Sequence, residues 1–358
     1  MQEKHTFMAN QEHLMRLRQG VAVWNHWRQQ HSATFPDLSR VSLHQMDLRE
    51  VSLHQANLRD VVLNAADFSM ANLRQADLRR SNLQEAIFYT ANLEEADLRE
   101  ANLVGADLRE ANLHGADLRS INGSAASLSM ANLRRSNLRE ALLLKTNLSY
   151  ANLSHADCCL GNFRGANLTE ADLTAARLYT ADLSQAILTK ARLRQADLRE
   201  AICDRATLQN ADLREANLSM AVLSGADLSS ATLYRARLTR SNLSHANLTL
   251  ANLSDARFWR SDLNQSNLSG ANLYQALLVQ VNFQNAILHE ATLCEANLTQ
   301  ADLSHADLKR ANLSGANLTG ANLSHANLAQ ADLRQTHLWG ANLSGADLTG
   351  TALPEGMI

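Results

Sequence analysis

From Pro36 onward the chain repeats one five-residue phrase without a change of phase, as in Ala71-Asn72-Leu73-Arg74-Gln75. We call the third residue of each phrase its centre, and steps of five from Leu38 to Leu353 give 64 centres. Leucine occupies 56 of the centres, and alanine occupies 48 of the positions two residues earlier. A repeat this regular predicts a solenoid, and it overrides chain length as a guide to the number of domains.

The period of five excludes a straight helix and a straight strand. An α-helix turns 100° per residue, so every fifth residue would be rotated by about 140° and the leucines would spiral around all sides. Side chains of a strand alternate between two faces, so an odd spacing would place successive leucines on opposite faces. All centres face inward only if the chain turns once per phrase. We therefore expect short segments wound into a coil, with leucine and alanine stacked inside.

Tandem phrases of the form A(D/N)LXX resemble the pentapeptide-repeat family, and the resemblance covers about nine tenths of the 358 residues. It implies an all-β solenoid, a right-handed quadrilateral β-helix in which four phrases form one coil. The 64 phrases then make 16 coils, and at a spacing of about 4.8 Å these span about 77 Å. We predict an N-terminal helical cap over residues 1–35 and the β-helix over residues 36–358.

The segment before the repeat has apolar residues at helical spacing between Asn10 and about Gln30. They are Leu14, Leu17, Val21, Trp24 and Trp27. This spacing predicts one amphipathic helix. We expect it to cover the first coil, because the ends of a solenoid expose core residues and unpaired strand edges; a helix that binds a partner is the alternative. The N-terminal segment of pentapeptide-repeat proteins from cyanobacteria and related filamentous bacteria is also similar to the stretch Leu17-Arg18-Gln19-Gly20-Val21-Ala22-Val23-Trp24-Asn25-His26-Trp27-Arg28, followed by Pro36-Asp37-Leu38-Ser39.

The repeat stops at Leu353-Pro354-Glu355-Gly356 with no helical pattern after it. The last coil is therefore predicted to be an open edge. We expect a homodimer or a docked partner at this coil, the alternative being that Pro354 and a frayed tail protect it.

One phrase departs from the rule in the interior. Gly123 takes a leucine position, and Ile121 replaces the alanine two residues earlier. The bulky side chain has moved, so the volume is partly conserved. We expect a local dent or twist at this phrase.

Composition sets limits on compartment and ligands. The net charge is −3, which gives no global basic surplus for nucleic acid or anionic membranes. The first residues lack a signal-peptide layout and no run is long enough for a membrane helix, so we expect a cytoplasmic protein. Two cysteines, Cys158 and Cys203, take leucine positions, whereas Cys159 and Cys294 follow a centre and should point outward. We expect free thiols, no metal site and no cofactor.

Residues 20 apart should lie on the same face of the coil, so the faces can be read from the numbering. One face carries a ladder of arginines directly after the centres: Arg59, Arg79, Arg99, Arg119 and Arg139. Aspartate and glutamate are interleaved with them. We therefore predict a neutralised, solvated ladder, and no direct binding of nucleic acid.

Further along the same face, large apolar side chains take outward positions. These candidate partner-binding residues are Tyr179, Trp259, Leu277, Val279 and Trp339. Exposed aromatic and apolar groups are favoured in protein interfaces. Scattered exposure without function is the alternative.

No residue pattern indicates an enzyme, because a filled coil has no cavity for a catalytic set and the glycines occur singly. We predict a non-catalytic interaction or scaffold protein that binds another protein through a rigid face or end. The alternative is a DNA-mimic modulator of type II topoisomerase (gyrase), which the resemblance raises. Mimicry requires a strongly acidic surface, and a net charge of −3 over 358 residues argues against it.

Overall fold

The computed structural model describes residues 9–355, and the chain divides into two compact units between Asp172 and Leu173. Unit 1, described from residue 9 to 172, begins with two helices and continues as a β-helix from Asp37. Unit 2, described from residue 173 to 355, is a β-helix. In each unit, the parallel ladder consists of single-residue bridges between residues 20 apart, such as Asp37 and Asn57. Four phrases therefore form one coil.

Each phrase ends in a tight turn. In a representative turn, the N–H of Ala56 donates to the carbonyl of Leu53 at 3.0 Å, and the intervening Gln55 has φ 59°. A four-residue turn with this hydrogen bond and positive φ at its third residue is a type II turn. The turn recurs along the repeat, so the chain changes direction every five residues and every centre points inward.

Three backbone hydrogen bonds per phrase connect successive coils. Leu58 N–H donates to Asp77 O at 2.7 Å, Asp77 N–H donates to Ala56 O at 2.9 Å, and Asp60 N–H donates to Arg79 O at 2.9 Å. The pattern repeats at steps of five within each unit. Buried peptide groups are thereby paired, which a coil this narrow requires.

The core has the predicted composition. Before the last described coil, leucine centres and the alanines before them are buried in both units. Phe68 and Phe88 stack in successive coils with centroids 5.0 Å apart. Where serine replaces the inner alanine, its hydroxyl is satisfied locally: Ser81 Oγ donates to Leu78 O at 2.6 Å. The interior is filled by side chains, so the chemistry available to ligands lies outside it.

The backbone hydrogen bonds at Gly123 show no sign of the expected local dent or twist. Gly123 N–H donates to Leu142 O at 2.8 Å, as at other centres. A Cβ atom added to Gly123 would lie 2.8 Å from Leu143 Cδ2 and 3.7 Å from Ile121 Cδ1. Side chains of the same and the following coil therefore occupy the space that a leucine would need.

The expectation of one N-terminal helix is wrong, because there are two. Helix α1 spans Gln11–Arg18 and helix α2 spans Val21–Gln30. Gly20 separates them with φ 111°, a conformation that a continuing helix does not allow. The side chain of Asn10 begins α1 by accepting from the N–H of Glu12 at 2.9 Å, as N-cap residues do.

The helices cover the first coil and replace the hydrogen bonds of a preceding coil. Trp24 is buried, and its Nε1 donates to Ser52 O at 2.8 Å. Asn25 Oδ1 accepts from Ser52 N–H at 2.8 Å, and Arg28 Nη2 donates to His54 O at 3.1 Å. In later coils these backbone groups pair with a neighbouring coil. The side chains of the cap therefore supply the hydrogen bonds that a preceding coil would form.

The last described coil lacks such cover. Leu348 is 36% exposed, and the centres Leu338 and Leu343 are partly exposed. Within residues 9–355 no carbonyl accepts from their backbone N–H groups. This coil presents an open edge and part of its core among the described residues.

The four cysteines are free thiols. Cys158 and Cys203 are buried at leucine positions, and burial raises the pKa of Cys203 to about 12. Cys159, which was predicted to point outward, is not a surface thiol, since it is 1% exposed. Its N–H donates to Asp157 Oδ1 at 3.2 Å. Cys294 is partly exposed.

Candidate binding face

All five candidate residues lie in unit 2, on one side of its coils. We call this side face 1: the phrases centred on residues 178 to 338 in steps of 20. Their outward side chains come directly before the centre and in the two positions after it. Tyr179, Trp259, Val279 and Trp339 follow a centre, and Leu277 precedes one.

Tyr179 stands apart from the other candidates. It is four coils from Trp259, about 19 Å at the spacing of parallel strands. Its hydroxyl donates to Glu200 Oε2 at 3.2 Å, and this hydrogen bond raises the pKa of Tyr179. The guanidinium of Arg199 lies 5.5 Å from the ring centroid. These local partners account for its position without a ligand.

Trp259, Leu277 and Val279 lie together in two adjacent coils, and we call them the apolar patch. Backbone hydrogen bonds hold the coils in register: Phe258 N–H donates to Leu277 O at 2.8 Å, and Arg260 N–H donates to Val279 O at 3.1 Å. Trp259 is 38% exposed and Leu277 is 43% exposed. The patch is a contiguous apolar surface on a face that is otherwise mostly polar.

Trp339 is not part of the apolar patch. It is 83% exposed and lies in the last described coil, four coils from Trp259. The structure therefore brings three of the five predicted residues together and leaves Tyr179 and Trp339 separate.

Two arginines surround the tryptophan of the apolar patch. The guanidinium carbons of Arg240 and Arg260 lie 5.2 Å and 4.6 Å from the ring centroid of Trp259. Arg260 Nε also donates to Gln280 Oε1 at 2.7 Å. These cation–π contacts hold the indole in place and concentrate positive charge around it.

An open groove of about 780 Å³ adjoins the apolar patch, and we call it the arginine groove. It lies at the corner where one phrase ends and a phrase of face 1 begins, over four successive coils. Its lining residues are Glu215, Asn217, Arg235, Arg237, Asp255, Arg257, Gln275 and Leu277. Leu277 belongs to both the groove and the apolar patch.

The arginines of the groove differ from those elsewhere on the face. Arg237 and Arg257 are bridge partners in adjacent coils, so two like charges stack directly on each other, an unfavourable arrangement without an anion. Within the described part of the chain, neither forms an ion pair. By contrast, Arg199 lies 2.7 Å from Asp197 in the same phrase, and its hydrogen bonds lower the pKa of Asp197.

The groove also breaks a local structural rule. In most phrases, Asp or Asn before the centre accepts from the N–H two residues later, as Asn217 does from Ser219 at 3.2 Å. Arg237, Arg257 and Leu277 cannot accept this bond. They form the longest run of coils without Asp or Asn at this position on any face. Side chains that forgo a local hydrogen bond in successive coils favour a functional explanation.

Sequence reasoning missed these arginines, although the sequence carries a signal for them. Arginine stands before the centre at Arg237 and Arg257, where aspartate or asparagine is the rule. The arginines directly after the centres form the paired ladder and were the ones the prediction followed.

That ladder, in unit 1, is neutralised as predicted. Arg99 Nη2 lies 2.7 Å from Asp97 Oδ2 within its own phrase, and its Nε lies 3.6 Å from Asp117 Oδ2 in the next coil. Arg119 repeats the first contact at 2.6 Å from Asp117. Each arginine of the ladder thus has an aspartate in its own phrase, in the next coil or in both, which compensates the stacked charge.

Residues 9–355 contain neither a metal-binding cluster nor a membrane-spanning helix. No group of three or more His, Cys, Asp or Glu in that range is arranged to hold a metal ion. Neither α1 nor α2 is long and apolar enough to span a bilayer.

Side chains fill the coils, and the remaining side chains point outward. The protein is therefore a β-helical repeat protein whose potential binding groups lie on its faces. A sequence model described as "Pentapeptide repeats (8 copies)" matches residues 34–64, 56–94, 86–122, 124–157, 146–185, 176–214, 206–244, 246–285, 276–315 and 311–350. The chain therefore belongs to the pentapeptide-repeat family, and its fold is the right-handed quadrilateral β-helix.

Two solved structures of pentapeptide-repeat proteins from cyanobacteria are similar to this chain. Rfr23, a pentapeptide-repeat protein from the cyanobacterium Cyanothece, is 46% identical over 26% of this chain, with a TM-score of 0.25; the match spans 63% of Rfr23, less than two thirds of its length. HetL from the cyanobacterium Nostoc, involved in heterocyst differentiation regulation, is 34% identical over 75% of this chain and 91% of its own, with a TM-score of 0.20.

QnrB1, a plasmid-mediated fluoroquinolone resistance protein, is 19% identical over 57% of this chain and 88% of its own, with a TM-score of 0.38. No curated protein matches the chain.

Proposed function

We propose that this protein is a non-catalytic interaction protein that binds another protein through face 1 of unit 2, at the apolar patch. The observation that carries the proposal is the grouping of the exposed Trp259 and Leu277 with the partly exposed Val279 in two adjacent coils. Tryptophan with adjoining aliphatic groups is the typical composition of an energetically dominant interface centre. A rigid coil holds these side chains in place before binding, which lowers the entropy cost of association.

A DNA-mimic function receives no support from the surface of unit 2. Mimicry requires continuous negative charge, whereas face 1 presents Arg240 and Arg260 against Trp259 and the stacked pair Arg237 and Arg257. The aspartates of the unit 1 ladder are paired with arginines. The free thiols fit a reducing compartment, so we propose a cytoplasmic location.

Affinity capture from the native cell tests the protein-binding proposal. Baits are the wild-type protein, Trp259→Ala and Leu277→Ser, with Leu250→Ser as the control because Leu250 is exposed in the same unit but lies on another side of the coil. We expect a protein retained by the wild-type and Leu250→Ser baits to be lost from the other two, since a central interface tryptophan contributes about 2 kcal/mol or more. Equal retention by all four baits would overturn the proposal.

We also propose that the last described coil pairs with a second copy of the chain. Leu338, Leu343 and Leu348 expose core surface there, and pairing of two such edges would cover apolar area and satisfy backbone groups. Light scattering should give a dimer for the wild type and a monomer for Leu343→Arg. A wild-type monomer at high micromolar concentration would contradict this.

A further inference from the structure

We propose that the arginine groove binds an acidic segment of a protein partner, with carboxylates held by Arg237 and Arg257 and an apolar side chain of the segment against Leu277. The inference rests on the proposed protein-binding function of face 1. It adds the chemistry of the partner: glutamate or aspartate next to an aliphatic or aromatic residue.

The first support is an excess of positive charge. Five guanidinium groups lie within two coils: Arg235, Arg237, Arg240, Arg257 and Arg260. Among the residues described, the one carboxylate within ion-pair distance of this set is Asp255, 3.7 Å from Arg235 Nε. Four stacked cations without an acidic partner form a site that attracts anions.

The second support is the arrangement of the two central arginines. Arg237 and Arg257 are parallel bridge partners, so their side chains leave the backbone about 4.8 Å apart. Each guanidinium is a planar fork of donors that matches the two oxygens of a carboxylate. An acid bound between them would form charge-assisted hydrogen bonds to both and relieve their mutual repulsion.

The third support is the character of the surroundings, which favours a peptide over nucleic acid. The groove also contains Asp255 and Glu215, which confine the uncompensated positive charge to Arg237 and Arg257 and can accept from the N–H groups of a peptide, so the site suits one or two carboxylates better than a continuous phosphate backbone. The ring of Trp259 already holds Arg240 and Arg260, so it is less available as a stacking platform for bases. Leu277 offers an aliphatic contact for a side chain.

Fluorescence anisotropy with the full-length protein tests the inference. The probe is a labelled peptide of repeated Glu-Glu-Leu units, compared with a Gln-Gln-Leu peptide of equal length and with labelled oligothymidylate. We expect the acidic peptide to bind best and its affinity to fall with added salt. The double variant Arg237→Ala/Arg257→Ala should weaken binding about tenfold or more, because the bound carboxylates lose their charge-assisted hydrogen bonds to both guanidinium groups.

Two further variants separate this effect from altered folding or nonspecific charge. Arg99→Ala/Arg119→Ala removes the same charge from the paired ladder, and we expect less than about a twofold change because those arginines are already neutralised. Arg237→Lys/Arg257→Lys keeps the charge but loses the bidentate geometry, so its affinity should be intermediate. Thermal melting of each variant shows whether the coils remain folded.

Equal binding of the acidic and glutamine peptides, or unchanged affinity in the Arg237→Ala/Arg257→Ala variant, would overturn the inference. Preferential binding of oligothymidylate would also overturn it and would identify the groove as a site for single-stranded nucleic acid. Failure of this inference can be distinguished from failure of the proposed protein-binding function. If Trp259→Ala loses the captured protein while the double arginine variant retains it, face 1 binds protein but not through acidic groups.

Discussion

At the scale of single residues, the last position of each phrase imposes the strongest backbone demand. It holds positive φ in glycines such as Gly105, with φ 66°, and in ordinary residues such as Glu110, with φ 59°. β-Branched side chains are strongly disfavoured there. Of the 64 phrases, Thr90 and Thr180 are the two that place one at this position, and none has valine or isoleucine. The residues at this outward position are thus limited by the positive φ of the turn as well as by exposure to solvent.

At the interior position Gly123, a substitution towards the repeat consensus is predicted to destabilise the protein. Gly123→Leu restores leucine at a centre, yet it should lower the free energy of unfolding by about 1–3 kcal/mol, because Leu143 already fills the space. Urea unfolding followed by circular dichroism measures this. The double variant Ile121→Ala/Gly123→Leu, which matches the consensus at both positions, should recover most of the loss. A single variant as stable as the wild type would contradict the packing at Gly123.

At the scale of elements, the cap works because side chains take the place of a missing coil. Two histidines at the contact between the cap and the first coil, His13 of α1 and His54 of the coil, must be neutral. His13 Nδ1 accepts from Asp37 N–H at 3.1 Å. His54 Nε2 lies 2.7 Å from Arg28 Nη2, and since arginine can only donate, that nitrogen is the acceptor. Burial lowers the pKa of His13, and burial together with the Arg28 charge lowers the pKa of His54.

These shifts predict that the cap weakens in mild acid. The unfolded chain, with histidine pKa values near 6.5, binds protons more readily than the folded cap. The contribution to stability is therefore complete above about pH 6.5 and is lost as the pH falls from there towards the lowered folded values. Urea unfolding of the cap, followed by the emission of Trp24 and Trp27 in a Trp259→Phe/Trp339→Phe background, should require less denaturant at pH 5.5 than at pH 7.5.

A matched variant checks the cause. His13→Asn/His54→Gln keeps an acceptor near each position and cannot take up a proton. Its cap should unfold at nearly the same denaturant concentration at both pH values. An equally strong pH dependence in this variant would assign the effect to other groups.

At the scale of the whole molecule, the repeat period predicts most of what the structure shows. Because the period forces one turn per phrase, numbering in steps of 20 predicts that Trp259 and Val279 are neighbours and that Arg99 is neutralised. The break at Gly20 was missed because the apolar spacing continues across it. The arginine groove was missed for a geometrical reason: its lining comes from two sides of a corner, such as Arg235 and Arg237, and faces read one at a time do not show a corner.

The central claim is that face 1 of unit 2 binds a protein partner. The most direct measurement is isothermal titration of the partner recovered by capture, purified, into wild-type protein, Trp259→Ala/Leu277→Ser and the Leu250→Ser control. We predict that the double variant binds at least about 30-fold more weakly, corresponding to about 2 kcal/mol, and that the control binds like the wild type. The same dissociation constant for all three proteins would contradict the account.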